Sequence, residues 1–355
     1  MTRFYIRPMG LLAGEDADAA VAQGTAGRIG GGGIAFALVE LIIREGPRIE
    51  RAHRSFREVS SSRESSIGEK LGLILEPRTA VAGVDMTQAS IMGIINVTPD
   101  SFSDGGEAAR KEDAIARGIE FAKDGAAIID VGGESTRPGS DGISIDEERC
   151  RVLTVISELG GRGLKVSIDT RKPQIMEEAV KAGAAMINDV TALRFDPESR
   201  RTAAKLKRPV CLMHAQGDPK TMQNNPVYED VVLDVFDELQ DLIEKAVSAG
   251  LPRGLLLADP GIGFGKTYRH NLEILQKLSV YHGLGVPLVV GASRKAFIGA
   301  ITGEPAGKAR AHGSVGMAIA AAGQGAQILR VHDVKATSQA LKAWRAATEP
   351  SALRL

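Results

Sequence analysis

Four residues of this chain combine in a way that suggests chemistry: Asp169, Asn188, Asp259 and Lys295. Two acids, an amide and an amine brought together in a pocket mouth would be costly to bury unless a polar ligand, or each other, satisfied them. Asp259 offers two acceptors, suited to a flat edge that carries N–H and NH2. Asn188 can donate and accept at once, and Lys295 supplies donors for a carbonyl or a ring nitrogen. An aminopyrimidinone ring, a pterin or a guanine, would satisfy all three; a structural ion-pair network is the alternative for the same residues. Arg330 and His332 are of types that hold an anion. Asn96 precedes the acid-bearing, glycine-rich stretch TPDSFSDGG, a combination suited to a metal-bound diphosphate. Mg2+ takes oxygen ligands and usually binds through the phosphates of its substrate.

These residues converge only if the chain brings them to one place. From about Ala89 onward, short apolar runs alternate with helical patterns: Ile91–Val97, Ala126–Val131, Lys165–Asp169, Ala185–Val190, Pro209–His214, Leu255–Asp259, Pro287–Ala292 and Ala326–Val331. Near-continuous apolar runs read as parallel strands covered on both faces. Helical segments such as KPQIMEEAVKAGA fall between them, several ending in glycine (Gly125, Gly183, Gly250), as helix C-termini prefer. This order predicts a closed (β/α)8 TIM barrel over residues 86–355, with an open doubly wound sheet as the alternative. Every candidate strand delivers polar groups at its C-terminal end, the face where such barrels place their active sites. A single Asp or Asn there serves equally well as a helix cap or turn former, and Asp100, Asp104, Asp130 and Glu134 fit that role too.

Residues 1–85 read differently and are expected to form a small appended subdomain. They contain the glycine-rich GTAGRIGGGG, an expected helix over Ala35–Arg44 and a loop at VSSSRESS. The glycine spacing fits neither a dinucleotide fingerprint nor a P-loop. GIGFGKT is likewise no Walker motif, because Pro260 stands where its first glycine belongs. With 44 basic and 44 acidic residues, no overall field favours nucleic acid or a membrane surface. Cys150 and Cys211 lack metal-ligand spacing. No secretory signal or membrane span is visible, and the expected location is the cytoplasm.

The motifs IMGIINVTPDSFSDGG, IIDVGGESTRPGS, VSIDT, MINDV, CLMHAQGDPKTMQNNPVY, LLADPGIGFGK, VVGASRKAFIG and ILRVHDV, in this order, closely resemble dihydropteroate synthase, the pterin-binding barrel of folate biosynthesis. The resemblance runs from about Ser90 to the C-terminal helix and leaves the extension unassigned. It implies a Mg2+-dependent transferase that condenses 6-hydroxymethyl-7,8-dihydropterin diphosphate with 4-aminobenzoate, giving 7,8-dihydropteroate and pyrophosphate. It implies pterin contacts from Asp169, Asn188, Met213, Asp259, Phe264, Lys295 and Arg330. The diphosphate would fall to Asn96, Thr136, Arg330 and His332, with Asn96 also meeting the metal. Phe102, Arg137, Pro138 and Ser293 would shape the aminobenzoate site, where sulfonamides compete. The reacting centre would be served by Asn96, Arg330, His332 and Lys295. A homodimer is the expected assembly, and the small-residue segment Gly313–Ala326 could pack against a neighbour or within its own barrel. Two other readings are a methyltetrahydrofolate-using methyltransferase, which needs neither the diphosphate clamp nor the STRPGS loop, and a non-catalytic pterin-binding paralogue.

Overall fold

A computed structural model of the chain describes residues 2–98, 107–135, 142–217, 222–223 and 225–352. The strands are β1 (Thr2–Ala13), β2 (Gly27–Arg28), β3 (Ile34–Glu45), β4 (Arg48–Ser55), β5 (Ser90–Asn96), β6 (Ala126–Gly132), β7 (Val166–Asp169), β8 (Met186–Asp189), β9 (Val210–Met213), β10 (Leu256–Asp259), β11 (Val289–Val290) and β12 (Ile328–Val331). The helices are α1 (Gly14–Ala22), α2 (Phe56–Ser60), α3 (Ser65–Leu75), α4 (Glu107–Lys123), α5 (Ile145–Gly161), α6 (Pro173–Ala182), α7 (Ser199–Leu206), α8 (Val231–Ser248), α9 (Tyr268–Gln276), α10 (Ala296–Thr302), α11 (Ala311–Gly323) and α12 (Val334–Thr348).

Strands β5 to β12 form one parallel sheet in the order β10-β9-β8-β7-β6-β5-β12-β11. The Ala258 amide donates to the Pro287 carbonyl across a bridge to Leu288, and this contact joins the two ends into a barrel. The open doubly wound sheet is thereby excluded. Side chains two apart on a strand share a face. Met92, Ile128, Met186, Cys211, Leu257, Val289 and Ile328 therefore form one apolar layer inside the barrel, and Val81 and Met86 pack into it from the segment before β5. The next inward position on the same strands holds Asp130, Asn188, Met213, Asp259 and Arg330. The same period of two thus lays an apolar floor and sets a polar layer on top of it.

Residues 2–75 build a second, antiparallel sheet in which β3 pairs with β1, β2 and β4. The expected helix over Ala35–Arg44 is a strand instead. Ile34, Phe36, Val39, Ile42 and Ile43 are β-branched or aromatic, and β1 and β4 pair with the run along both of its edges. The VSSSRESS stretch is only partly loop, since α2 ends at Ser60 and α3 starts at Ser65. One face of this sheet shares a core with Phe56, Val59, Leu71 and Ile74. Tyr5 and Ile42 belong to the barrel's own cluster, and the Tyr5 ring meets Phe236 of α8 edge-on at 5.2 Å. Among the described residues no helix is long and apolar enough to cross a membrane.

Candidate active site

The polar layer is held together by Arg330 of β12. Its Nε donates to Asp130 Oδ2 and its Nη2 to Asp169 Oδ2, each at 2.6 Å. Asn188 Nδ2 donates to the same Asp130 oxygen at 3.2 Å. Asp130, Asp169, Asn188 and Asp259 are all buried. Asp259 Oδ1 accepts the Gly261 N–H at 2.7 Å, while a methyl group placed on Gly291 would lie 3.7 Å from Asp259 Oδ2 and 3.9 Å from the Arg330 side chain. Asp259 and Arg330 therefore flank one point. Asn96 joins at the other side: a methyl on Gly132 would lie 3.6 Å from Asp169 Oδ2 and 3.7 Å from Asn96 Oδ1.

Lys295 precedes α10, with its ammonium 4.0 Å from the centre of the Phe264 ring. Such a contact is worth about 0.5–2 kcal/mol and keeps both groups at the mouth. Between Ser293 and Lys295, Arg294 adopts a left-handed backbone at φ 59°, which costs a non-glycine residue of order 1 kcal/mol or more. The conformation is held by the Arg294 N–H donating to Ser314 Oγ at 2.8 Å and by the guanidinium paired with Asp333. Ser293 and His332 meet directly, Oγ to Nδ1 at 3.0 Å. Met213 lies beside Gly261.

Burial dominates the electrostatics. It raises Asp169 to about 7; the Arg330 guanidinium pulls the other way, and the Asp130, Asp189 and Glu148 carboxylates add to the rise. Burial raises Asp259 too, against the Gly261 N–H and the charges of Arg330, Lys295 and Lys266. For Arg330 burial alone would lower the value, but the Asp130 and Asp169 carboxylates lift it above its ordinary range. Asp130 Oδ1 and Asp169 Oδ1 are buried with no hydrogen-bond partner among the described residues. Unmet buried acceptors cost about 1–3 kcal/mol each, so the layer is incomplete as it stands.

Two neighbouring polar residues stand outside the layer, Asp189 by the strand alternation and Glu134 because it lies past the end of β6. Asp189 turns away from the axis and accepts the Thr191 and Leu193 N–H groups, fixing a local turn. Glu134 also leaves the pocket: with Glu148 it grips the Lys172 ammonium, and it pairs with Arg171. Of the four carboxylates that the sequence left ambiguous, Asp130 lines the layer and Glu134 does not, and Asp100 and Asp104 lie outside the described residues. The glycines of GIGFGKT admit neighbouring backbone: at Gly261 (φ 67°) a side chain would overlap the His214 carbonyl, and at Gly265 (φ 62°) it would come within 2.6 Å of the Gln216 carbonyl. Sequence reasoning missed Lys266, which follows these glycines. Its buried ammonium is 2.8 Å from His214 Nδ1, and His214 Nε2 is 3.1 Å from Glu238. Burial pushes Lys266 down to about 7, and burial with the Lys266 charge pushes His214 down to about 4. A lone lysine after a turn carries no periodic signal that would have revealed it. Phe102, Thr136, Arg137 and Pro138, together with Asp100 and Asp104, lie outside the described residues.

Among the described residues no group of three His, Cys, Asp or Glu could cage a metal ion. The Asn96 amide oxygen, near Asp169, is a donor of the oxygen type that a hard cation takes.

A family model described as pterin binding enzyme matches residues 92–332. Dihydropteroate synthase of Neisseria meningitidis serogroup C is 46% identical over 266 residues, which cover 74% of this chain and 94% of that one. The solved structure of Xanthomonas albilineans dihydropteroate synthase with 4-aminobenzoic acid superposes with a TM-score of 0.72 at 45% identity, covering 78% of this chain and 99% of that chain. The enzyme of the same organism in complex with 7,8-dihydropteroate gives 0.70 at 43% identity, covering 78% and 100%.

Proposed function

The chain belongs to the pterin binding enzymes, and from that premise we infer that it is a dihydropteroate synthase: it condenses 6-hydroxymethyl-7,8-dihydropterin diphosphate with 4-aminobenzoate to give 7,8-dihydropteroate and pyrophosphate. One observation carries the residue-level reading. Asp169, Asn188, Asp259 and Lys295 share a barrel mouth with Arg330, and two acceptor oxygens there, Asp130 Oδ1 and Asp169 Oδ1, are buried with no donor among the described residues.

In this reading the N–H and NH2 edge of the ring faces the Asp259 and Asp169 carboxylates, Asn188 pairs with the ring's mixed edge, and Lys295 donates to its carbonyl or nitrogen. Met213 and Phe264 line the slot. Arg330, His332, Asn96 and Thr136 take the diphosphate; Ser293, Phe102, Arg137 and Pro138 shape the aminobenzoate site. The amine lone pair forms the new C–N bond at the pterin methylene as its C–O bond breaks. The electrons leave with pyrophosphate, and the amine gives up one proton. The electron-rich ring supports the developing positive carbon, so the chain needs no nucleophile of its own. Its task is to hold the ring, meet the growing charge on the leaving group and exclude water. Mg2+, when bound, would neutralise part of the diphosphate charge, with Asn96 as its protein ligand.

The test is pyrophosphate release with both substrates, with and without Mg2+. Release that requires both substrates supports the reading, and none under any condition overturns it. We further propose a cytoplasmic homodimer. Two cysteines, Cys150 and Cys211, are too few for a disulfide framework and fit a reducing compartment, and Tyr268, Leu272 and Ile301 are exposed apolar side chains on the adjoining helices α9 and α10. Sedimentation as a monomer at micromolar concentration, or recovery outside the cytoplasm on cell fractionation, would refute those two points.

A further inference from the structure

Helix α8 is preceded by Glu229 and its N-cap Asp230, and its first two turns carry Asp234 and Asp237. Each of these acids meets a basic residue of the N-terminal sheet. Arg44 reaches Asp234 at 2.6 Å and Glu229 at 2.7 Å, Arg51 reaches Asp230 at 2.7 Å, and Arg3 reaches Asp237 at 2.6 Å. Two of the acids also shape the helix start: Asp230 Oδ1 accepts the Val232 and Leu233 N–H groups, and Asp234 Oδ2 accepts that of Glu229. Tyr228, the residue before Glu229, donates its hydroxyl to the Gly265 carbonyl at 2.7 Å and packs against His270 and His214. Gly265 lies between Phe264, whose ring carries the Lys295 ammonium, and the buried Lys266. A continuous set of contacts thus runs from the added sheet to the wall of the cleft. All three arginines precede residue 92, where the family match begins.

We propose that the N-terminal sheet braces the cleft wall, and that Arg44 is a positioning residue for the dihydropterin substrate, acting through Glu229, Asp234 and Tyr228 on the loop Gly261–Lys266. The proposal rests on the synthase reading. Arg44 hydrogen-bonds two acids on either side of the helix start and lies 3.5 Å from Asp237, so its loss frees that turn, whereas Arg3 holds Asp237 at 2.6 Å further along α8. Arg44→Ala therefore raises KM for the dihydropterin diphosphate about tenfold and leaves kcat nearly unchanged, the pattern of lost binding rather than lost transition-state contacts. Arg3→Ala lowers Tm comparably and leaves KM alone. In the double variant Arg44→Ala/Tyr228→Phe, KM rises no further than in the worse single variant, because both changes cut one line of contact. The brace is overturned if Arg44→Ala keeps wild-type KM, if Arg3→Ala moves KM as much, or if the two effects multiply in the double variant. Should Arg44→Ala fail to fold, Arg44→Lys, which keeps the charge and loses the fork, is read the same way with an intermediate KM expected. A wild-type chain that releases no pyrophosphate counts against the synthase reading; an active wild type with an indifferent Arg44 counts against the brace alone.

Discussion

Asp259→Asn separates the pterin reading from a purely structural role, because it changes charge and donor pattern with almost no change in volume. Asp259 Oδ1 holds the Gly261 N–H at 2.7 Å, and an amide oxygen can keep that bond. The other oxygen, on the side of Gly291 and Arg330, becomes an NH2 group. Facing ring N–H and NH2 donors, the new group puts donor against donor. A hydrogen bond to a charged group contributes about 1.5–3 kcal/mol, and the one oxygen converted carries one such bond. That corresponds to a loss of roughly 10–10² in dihydropterin affinity. The fold should not suffer. Burial already raises the Asp259 carboxyl, so removing its charge relieves a desolvation cost while giving up attraction to Lys295 and Arg330.

The measurement pairs steady-state pyrophosphate release at saturating 4-aminobenzoate with calorimetric titration of the pterin and a thermal melt. Kd and KM should rise together, with Tm within about 3 °C of wild type or above it. If both constants stay within about threefold of wild type in a fully folded variant, Asp259 is a turn-forming residue and the assignment of the ring edge is wrong.

Three further outcomes follow from the same geometry. Arg330→Met leaves the Asp130 and Asp169 carboxylates without their counter-charge, which should cost about 3–5 kcal/mol of stability, and kcat/KM should fall about 10²-fold or more through the lost diphosphate contact; wild-type rates in this variant would end the clamp. Asp169 takes up its proton near pH 7 when folded, against an ordinary value of 3.8. An acid raised in this way binds its proton more tightly in the native state, so its destabilising contribution is absent below about pH 4, grows between about 4 and 7 and is complete above. Because the ring donors need the carboxylate, kcat/KM for the pterin should decline as pH falls below about 7. Lys266 titrates in the same range, so the profile is repeated with Asp169→Asn, and an acid limb surviving there would refute the assignment. Lys172→Met strands two buried carboxylates, Glu134 and Glu148, at a cost of about 3–5 kcal/mol. For a chain of this size the Tm should drop by about 5 °C and recover in part when Glu148→Gln is added; an unchanged melt would mean that the triad is not a buried pair in solution.

The barrel was legible because parallel strands buried on both faces appear as apolar runs, and because each run ends in residues an apolar core cannot keep. Ile128-Ile129-Asp130 and Leu256-Leu257-Ala258-Asp259 show both features within a few positions. The extension was not legible for the complementary reason. IAFALVELIIRE is as long as a helix, and its strand character depends on pairing with β1, whose apolar residues are interrupted by Arg7 and Pro8, and with β4, whose charged sequence carries no apolar run. Partner choice was equally hidden. Nothing local tells Asp130, which meets Arg330 some 200 positions away, from Glu134, which meets Lys172. Only the barrel's closure and register decide between them.

That partner choice bears on how the cleft selects its ligand. Arg330 is bridged by Asp130 and Asp169, Lys295 lies on Phe264, and His332 shares a hydrogen bond with Ser293. The charges are largely met internally, so an incoming anion gains only the difference between its own contacts and those it displaces. Asp130 Oδ1 and Asp169 Oδ1 are different, because among the described residues they have no donor to give up. A ring that brings N–H donors to them gains in full, and one that brings carbon or a lone pair leaves each unmet, at about 1–3 kcal/mol apiece. Discrimination by this site should therefore rest on the donor edge of the ring more than on the anion. Ring analogues lacking that edge should lose binding even with an intact diphosphate, in the manner of sites built to reject a missing hydrogen-bond partner.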